Sequence, residues 1–248
     1  MRMLAPAKLT WYLEVTGTRP NGYHELRSEM ATLALADELD IDESGDELTI
    51  VDAPFLSTGK NNLVRRALDL VGRTAGVTLT KHIPTGGGLG GGSADAAAIL
   101  RWAGGVSTER ALQLGGDVPF CQMGGRALVT GVGEVLAPLP FEERDVTLFI
   151  PPFSVPTAKV YAAYDELVAD GYRPNGVNHL EEPARRVERR MSVALDWARS
   201  EFGNVQLAGS GSTMFIAGHV HGRSPRWVVT SPVGSMQVIQ TTTTPGGA

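Results

Sequence analysis

One cysteine, Cys121, is all that 248 residues contain. That scarcity excludes a disulfide framework and a cysteine-based zinc or iron–sulfur site, and it fits a reducing cytoplasm. Also missing is any apolar run near the roughly 20 residues that cross a bilayer. The start, Met-Arg-Met-Leu-Ala-Pro, has no signal-peptide apolar core. A cytoplasmic protein with no membrane partner is expected. There is no basic stripe either: 22 Lys and Arg face 27 Asp and Glu, for a net charge of −5. The densest cluster, Arg185, Arg186, Arg189 and Arg190, is interleaved with Glu181, Glu182 and Glu188, which reads as a solvated, ion-paired face. A phosphate backbone needs a coherent basic surface, so nucleic acid is excluded as a partner. Finally, no Pro/Gly/Ser-rich linker divides the chain, which points to two tightly joined lobes.

Glycine is abundant instead, with 30 residues in 248, about 12% against the usual share of about 7%. Around it the periodicities are legible. Leu9, Trp11, Leu13 and Val15 alternate with polar residues over 4–15, a strand pattern, and Arg19-Pro-Asn-Gly22 is a turn. Strands are predicted over 30–41, 48–51, 77–83, 126–131, 146–150, 214–217 and 227–233. Helices are predicted after Asn61-Asn62, over 93–103, 107–114 and 157–169, and as one long helix over 182–202. The end, Thr241–Ala248, is low-complexity and reads as a frayed tail. The fold class is α+β.

Six of the seven residues from Gly86 to Gly92 are glycine, Leu89 being the exception, and the order is strand, glycine loop, helix. Glycines let successive N–H groups converge, and the helix N-terminus adds free donors and partial positive charge, so the segment is a phosphate cradle. It ends Gly-Gly-Ser without the lysine of a P-loop. The dinucleotide fingerprint overlays only loosely, because its acidic residue would be Glu109, which lies in a helical stretch. Protein-kinase catalytic-loop motifs are missing.

The stretch Pro84-Thr-Gly-Gly-Gly-Leu-Gly-Gly-Gly-Ser-Ala-Asp-Ala-Ala resembles the second motif of the GHMP kinases, the galactokinase/homoserine kinase/mevalonate kinase superfamily. Pro6-Ala-Lys-Leu-Thr-Trp-Tyr-Leu-Glu-Val-Thr-Gly with Arg19-Pro-Asn-Gly-Tyr-His-Glu-Leu26 resembles the N-terminus of the superfamily's branch acting on a diphosphocytidyl alcohol. Leu114-Gly-Gly-Asp-Val-Pro-Phe-Cys121 and Leu207-Ala-Gly-Ser-Gly-Ser-Thr-Met-Phe215 resemble two further elements, and the four lie in the family's order. The resemblance implies a two-lobed fold, with a ribosomal protein S5 domain 2-like ATP-binding lobe over 1–145 and a ferredoxin-like lobe over 146–240. It implies transfer of the γ-phosphate of ATP to the 2-hydroxyl of 4-diphosphocytidyl-2-C-methyl-D-erythritol, in non-mevalonate isoprenoid synthesis. The protein would be a monomer or homodimer. Another small-alcohol kinase of mevalonate or homoserine type, or a non-catalytic nucleotide-binding homologue, stands as the alternative.

By the same resemblance, Lys8 and Asp117 are the catalytic pair, Asp117 as base; its alternative is a helix cap. Pro84, Gly86, Gly87, Gly88, Leu89, Gly90, Gly91, Gly92 and Ser93 would hold ATP. Asn62 and Lys81 align near the adenine, their alternatives being a helix cap and a strand-end lysine. Tyr23, His24 and Tyr161 would bind cytosine, Tyr161 being otherwise a core tyrosine. Thr10, Thr157, Gly209, Ser210 and Gly211 complete the substrate set. Mg²⁺ is expected through the ATP phosphates, with no protein metal ligands assigned; His219-Val-His221 lacks companions for a metal site. Three departures stand out: Thr10 where the family has asparagine, Ala94 where a second serine is common, and a shortened span over 100–114 containing Gly104-Gly105. That span puts the placement of Asp117 against Lys8 in question.

Overall fold

The computed structural model describes residues 1–245. In chain order the elements are β1 (Arg2–Thr18), β2 (His24–Asp42), β3 (Leu48–Val51), α1 (Leu63–Val71), β4 (Gly76–Thr80), α2 (Gly91–Trp102), α3 (Thr108–Leu112), α4 (Val118–Met123), β5 (Arg126–Gly131) and β6 (Val135–Pro138). Then follow β7 (Asp145–Ile150), α5 (Thr157–Ala169), α6 (Glu181–Val187), α7 (Arg189–Phe202), β8 (Gln206–Leu207), β9 (Met214–Ala217), β10 (Arg226–Ser231) and β11 (Gly234–Thr242).

The first sheet runs β3-β4-β2-β5-β6, with β1 on the opposite edge of β2. β1 and β2 form a long antiparallel hairpin, from Arg2↔Asp40 to Thr18↔His24, with irregularities between Pro6 and Lys8 and between Thr10 and Tyr12. Such bulges turn a side chain away from strict alternation, and here they bracket Lys8 and Thr10. The second sheet is antiparallel in the order β10-β11-β7-β9-β8. Each lobe has its own apolar core, one around Leu33, Leu39, Ile99 and Phe120, the other around Phe149, Leu195 and Val238. β1 joins them: Leu13 and Val15 lie in the second core, and the Leu13 backbone bonds to Val177 (3.0 Å) and His179 (2.8 Å).

Three expectations change. The predicted long helix is two, because Glu188 takes an extended conformation (φ −131°, ψ 101°) and its carboxylate caps α7 by accepting from Arg190 N. α4 escapes sequence reading because it is short and carries Pro119 in its first turn, where a missing N–H costs nothing. The tail reading fails from Thr241 to Thr244: Thr241 and Thr242 belong to β11, and Thr243 bridges to Leu33. Thr244 N donates to Thr32 O (2.9 Å) and Thr241 Oγ1 accepts from Leu35 N (3.2 Å). The end of the chain therefore ties the second sheet to β2; residues 246–248 lie outside the described residues. No helix is long and apolar enough to cross a membrane among the described residues.

Phe120, fully buried on α4, anchors the helix that follows Asp117. Phe120→Ala should cost about 3–5 kcal/mol, read as a lowered urea midpoint at unchanged m-value.

Candidate active site

The glycine loop leaves β4 through Lys81-His82-Ile83-Pro84 and enters α2 at Gly91. Two of its glycines are required by close approach and by φ together. At Gly88 (φ +79°) a Cβ would stand 2.6 Å from Gly211 O, and at Gly90 (φ +71°) 2.8 Å from Lys8 Cγ. The loop is thus pressed between the third glycine motif and the stem of Lys8. Leu89 O accepts from Lys8 N (2.9 Å), and the Leu89 side chain is buried in the first core, so this residue anchors the loop. Above the loop a cavity of about 250 Å³ is lined by Pro84, Gly86–Gly92, Asn62, Lys81 and Asp95. Its floor combines convergent backbone and the N-terminus of a 12-residue helix, which suits phosphate. Ala94 is buried in the core, a place where a methyl fits without loss.

Lys8 and Asp117 meet. Lys8 Nζ lies 3.4 Å from Asp117 Oδ2 and donates to Thr10 Oγ1 at 3.2 Å, with the Lys8 side chain only 8% exposed. The Asp117 carboxylate makes no capping bond to α4, although the residue occupies the cap position. The cap alternative is thereby set aside by geometry. The shortened span does not displace Asp117. α2 ends cleanly, with Gly105 N bonded to Leu100 O (2.8 Å), and α3 returns the chain to Gly115-Gly116. Thr10, shorter than the asparagine expected there, fills its place by receiving the Lys8 ammonium and lies beside Gly209, where a Cβ would be 3.6 Å from Thr10 Oγ1.

On the far side of Asp117 is a cavity of about 670 Å³, lined by Ser93, Asp117, His24, Thr157, Tyr161 and Asp165 among others. Thr157 Oγ1 and Ser210 Oγ are 2.9 Å apart, so the third motif touches a residue that lines this cavity. His24 stacks on Tyr161, with ring centroids 4.8 Å apart and planes at 25°, and meets Tyr164 edge-on. Tyr161 packs against the second core while still lining the cavity; burial pushes its phenol well above the usual range, and the Asp117 charge adds to this. Tyr23 is exposed at the rim.

Asn62 and Lys81 differ from the rest. Asn62 does cap α1, its Oδ1 accepting from Val64 N (2.8 Å), while also lining the smaller cavity. Lys81 is no exposed strand-end lysine. Its ammonium is buried between Asp37 and Asp95, bonded to Asp37 Oδ2 and, at 2.7 Å, to Asp95 Oδ2. Asp37 Oδ1 also accepts from His82 N (2.5 Å) and Ile83 N (2.8 Å), which fixes the approach to the glycine loop. Sequence reading missed both acids. The available signals were an acidic residue at an inward place in β2, in step with Leu33, Leu35 and Leu39, and another inside the alanine-rich α2.

The description "GHMP kinases N terminal domain" matches residues 62–125. A 4-diphosphocytidyl-2-C-methyl-D-erythritol kinase of Paracoccus denitrificans (strain Pd 1222) is 38% identical over 86% of this chain and 85% of its own length. The chain belongs to the 4-diphosphocytidyl-2-C-methyl-D-erythritol kinases. Another member of this kinase family, from Pelotomaculum thermopropionicum (strain DSM 13744 / JCM 10971 / SI), is 44% identical over 65% of this chain and 62% of its own length. The crystal structure of a 4-(cytidine 5'-diphospho)-2C-methyl-D-erythritol kinase superposes with a TM-score of 0.73 at 32% identity, covering 100% of both chains. The two-lobed α+β fold is that of the GHMP kinases, and as a member of this kinase family the chain is an ATP-dependent phosphotransferase.

Beneath the glycine-loop cavity, burial pushes the Asp95 carboxyl from 3.8 up to about 7; Lys81 opposes the shift and Asp37 reinforces it. The native state then holds a proton that the unfolded chain releases, so stability falls as pH rises from about 4 through about 7 and levels off above. Asp95→Asn should flatten this stretch of the stability profile, measured by urea denaturation at pH 5, 6, 7 and 8.

Proposed function

We propose that the chain transfers the γ-phosphate of ATP to the 2-hydroxyl of 4-diphosphocytidyl-2-C-methyl-D-erythritol, a step of non-mevalonate isoprenoid synthesis, with Asp117 as base. One observation carries the assignment of roles: Asp117, which lines the larger cavity, is held against the buried Lys8, whose stem lies against Gly90 of the glycine loop. Phosphoryl transfer asks the protein mainly for positioning and charge stabilisation, and this arrangement supplies both.

ATP sits with its phosphates on the N–H groups of Gly86–Ser93 and its base toward Asn62 and Lys81. Lys81 serves there beneath the loop, with two of its three N–H donors engaged by Asp37 and Asp95. The alcohol enters the larger cavity, its cytosine among Tyr23, His24 and Tyr161. Asp117 Oδ2 takes the hydroxyl proton, the oxygen bonds to the γ-phosphorus, and the bond to the bridging oxygen of ADP breaks. The Lys8 ammonium keeps the carboxylate in place and offsets negative charge as it develops. Thr10, Gly209, Ser210, Gly211 and Thr157 complete the substrate side, with Gly209 beside Thr10, Gly211 against Gly88 and Ser210 hydrogen-bonded to Thr157.

Mg²⁺ fits this donor set as a companion of the nucleotide. No cluster of three acidic, His or Cys ligands is present among the described residues, and Ser93 offers one hydroxyl beside the phosphates. The ion would be held by phosphate and water oxygens with Ser93, and when bound it neutralises phosphate charge. The aromatic pair of His24 and Tyr161 in the acceptor cavity favours a cytidyl alcohol over mevalonate or homoserine.

Asp117→Asn should lower kcat by roughly 10²–10⁴-fold, measured as ADP release that depends on the diphosphocytidyl substrate. Turnover at the parent rate in this variant would remove Asp117 from the base role.

A further inference from the structure

The imidazole of His24 is held by a carboxylate from the other lobe. His24 Nε2 lies 2.7 Å from Asp165 Oδ1, a contact between residues 141 positions apart. Asp165 stands on α5 four residues beyond Tyr161, one helical turn away on the same face. One element thus delivers both the ring that stacks on His24 and the carboxylate that bonds it. The His24 side chain is 9% exposed, closed in by Tyr161 on its face and Tyr164 at its edge. His24, Tyr161 and Asp165 all line the 670 Å³ cavity.

A carboxylate only accepts hydrogen bonds, so the hydrogen in this contact belongs to Nε2. The neutral ring then has its lone pair on Nδ1, which makes no hydrogen bond among the described residues. A ring nitrogen's role is set by the bond its partner nitrogen makes. We propose that Asp165 is a positioning residue that fixes the Nε2–H tautomer of His24, so that Nδ1 presents an acceptor to the exocyclic amino group of cytosine. This rests on reading the larger cavity as the site of a cytidyl substrate. An acceptor there pairs with the 4-amino donor of cytosine and opposes the 4-oxo acceptor of uracil, so discrimination between the two bases passes through Asp165. Asp165 touches none of the reacting atoms, and 55% exposure of its side chain makes replacement compatible with folding.

The test compares the parent, Asp165→Ala and Asp165→Asn on 4-diphosphocytidyl-2-C-methyl-D-erythritol and on its uridine counterpart, with ¹⁵N NMR of the histidine rings; the His24 signal is assigned by its loss in His24→Gln. In Asp165→Ala, KM for the cytidyl substrate should rise about tenfold, as expected when one buried partner is left unmatched. Its kcat should stay within about twofold and the cytidyl-over-uridyl preference should shrink by a similar factor, because no reacting group is touched. The His24 spectrum should change from the Nε2–H form to a mixture of tautomers. Asp165→Asn keeps an acceptor in the same place and should recover most of the preference. An unchanged preference in Asp165→Ala, or an Nδ1–H tautomer in the parent, overturns the proposal. A parent inactive on the cytidyl substrate overturns the functional reading and the base-reading role with it. An active, discriminating parent whose Asp165→Ala variant keeps the ratio overturns only the role of Asp165.

Discussion

An ammonium taken out of water must be matched by charge and hydrogen bonds, and in this protein that demand centres on Lys8. Its stem passes beneath Gly90, its backbone holds Leu89, and its Nζ reaches Thr10 and Asp117. Those contacts draw together the β1 bulges, the glycine loop and the start of α4. The third glycine motif closes the arrangement, since Gly209 leaves room beside Thr10 and Gly211 lies against Gly88. Remove the pairing and the largely buried Lys8 ammonium loses the carboxylate that matches its charge.

A second lysine makes an instructive contrast. Lys81 lies between two carboxylates whose side chains are almost wholly buried, whereas Asp117 is about one-third exposed and lines the larger cavity. The enclosed cluster binds β4 to β2 and α2 and so carries the loop; the open pair has a carboxylate oxygen that a hydroxyl can approach. Similar residue types thus differ in access: one cluster is closed within the scaffold, and the other pair stays open to the cavity.

Local pattern revealed much of the framework. The strands over 4–15 and 126–131, the cap at Asn62 and the glycine run followed by the alanine-rich helix all appear as read, although the bulges bury Lys8, Leu9 and Thr10 in succession and so break the alternation. The signals failed where local and global preferences diverge. Thr241–Thr244 has a composition that suggests fraying, but the open stretch of β2 at Thr32–Leu35 offers backbone and side-chain partners to it. The 182–202 segment keeps one apolar stripe across a break at Glu188, because both halves face the same core.

What the sequence determined by itself was the character of its segments: a glycine loop between a strand and a helix, a lysine and an aspartate in motifs of the kinase family, and the aromatic residues His24 and Tyr161. Short-range spacing and glycine content encode these, since they depend on backbone freedom and on neighbours a few residues away. Only the tertiary structure decided which charges meet. Lys8 with Asp117, Lys81 with Asp37 and Asp95, and His24 with Asp165 are partners across strands, helices and lobes. Their encounters depend on sheet register and on the docking of α5 against the first lobe, and no local periodicity specifies either.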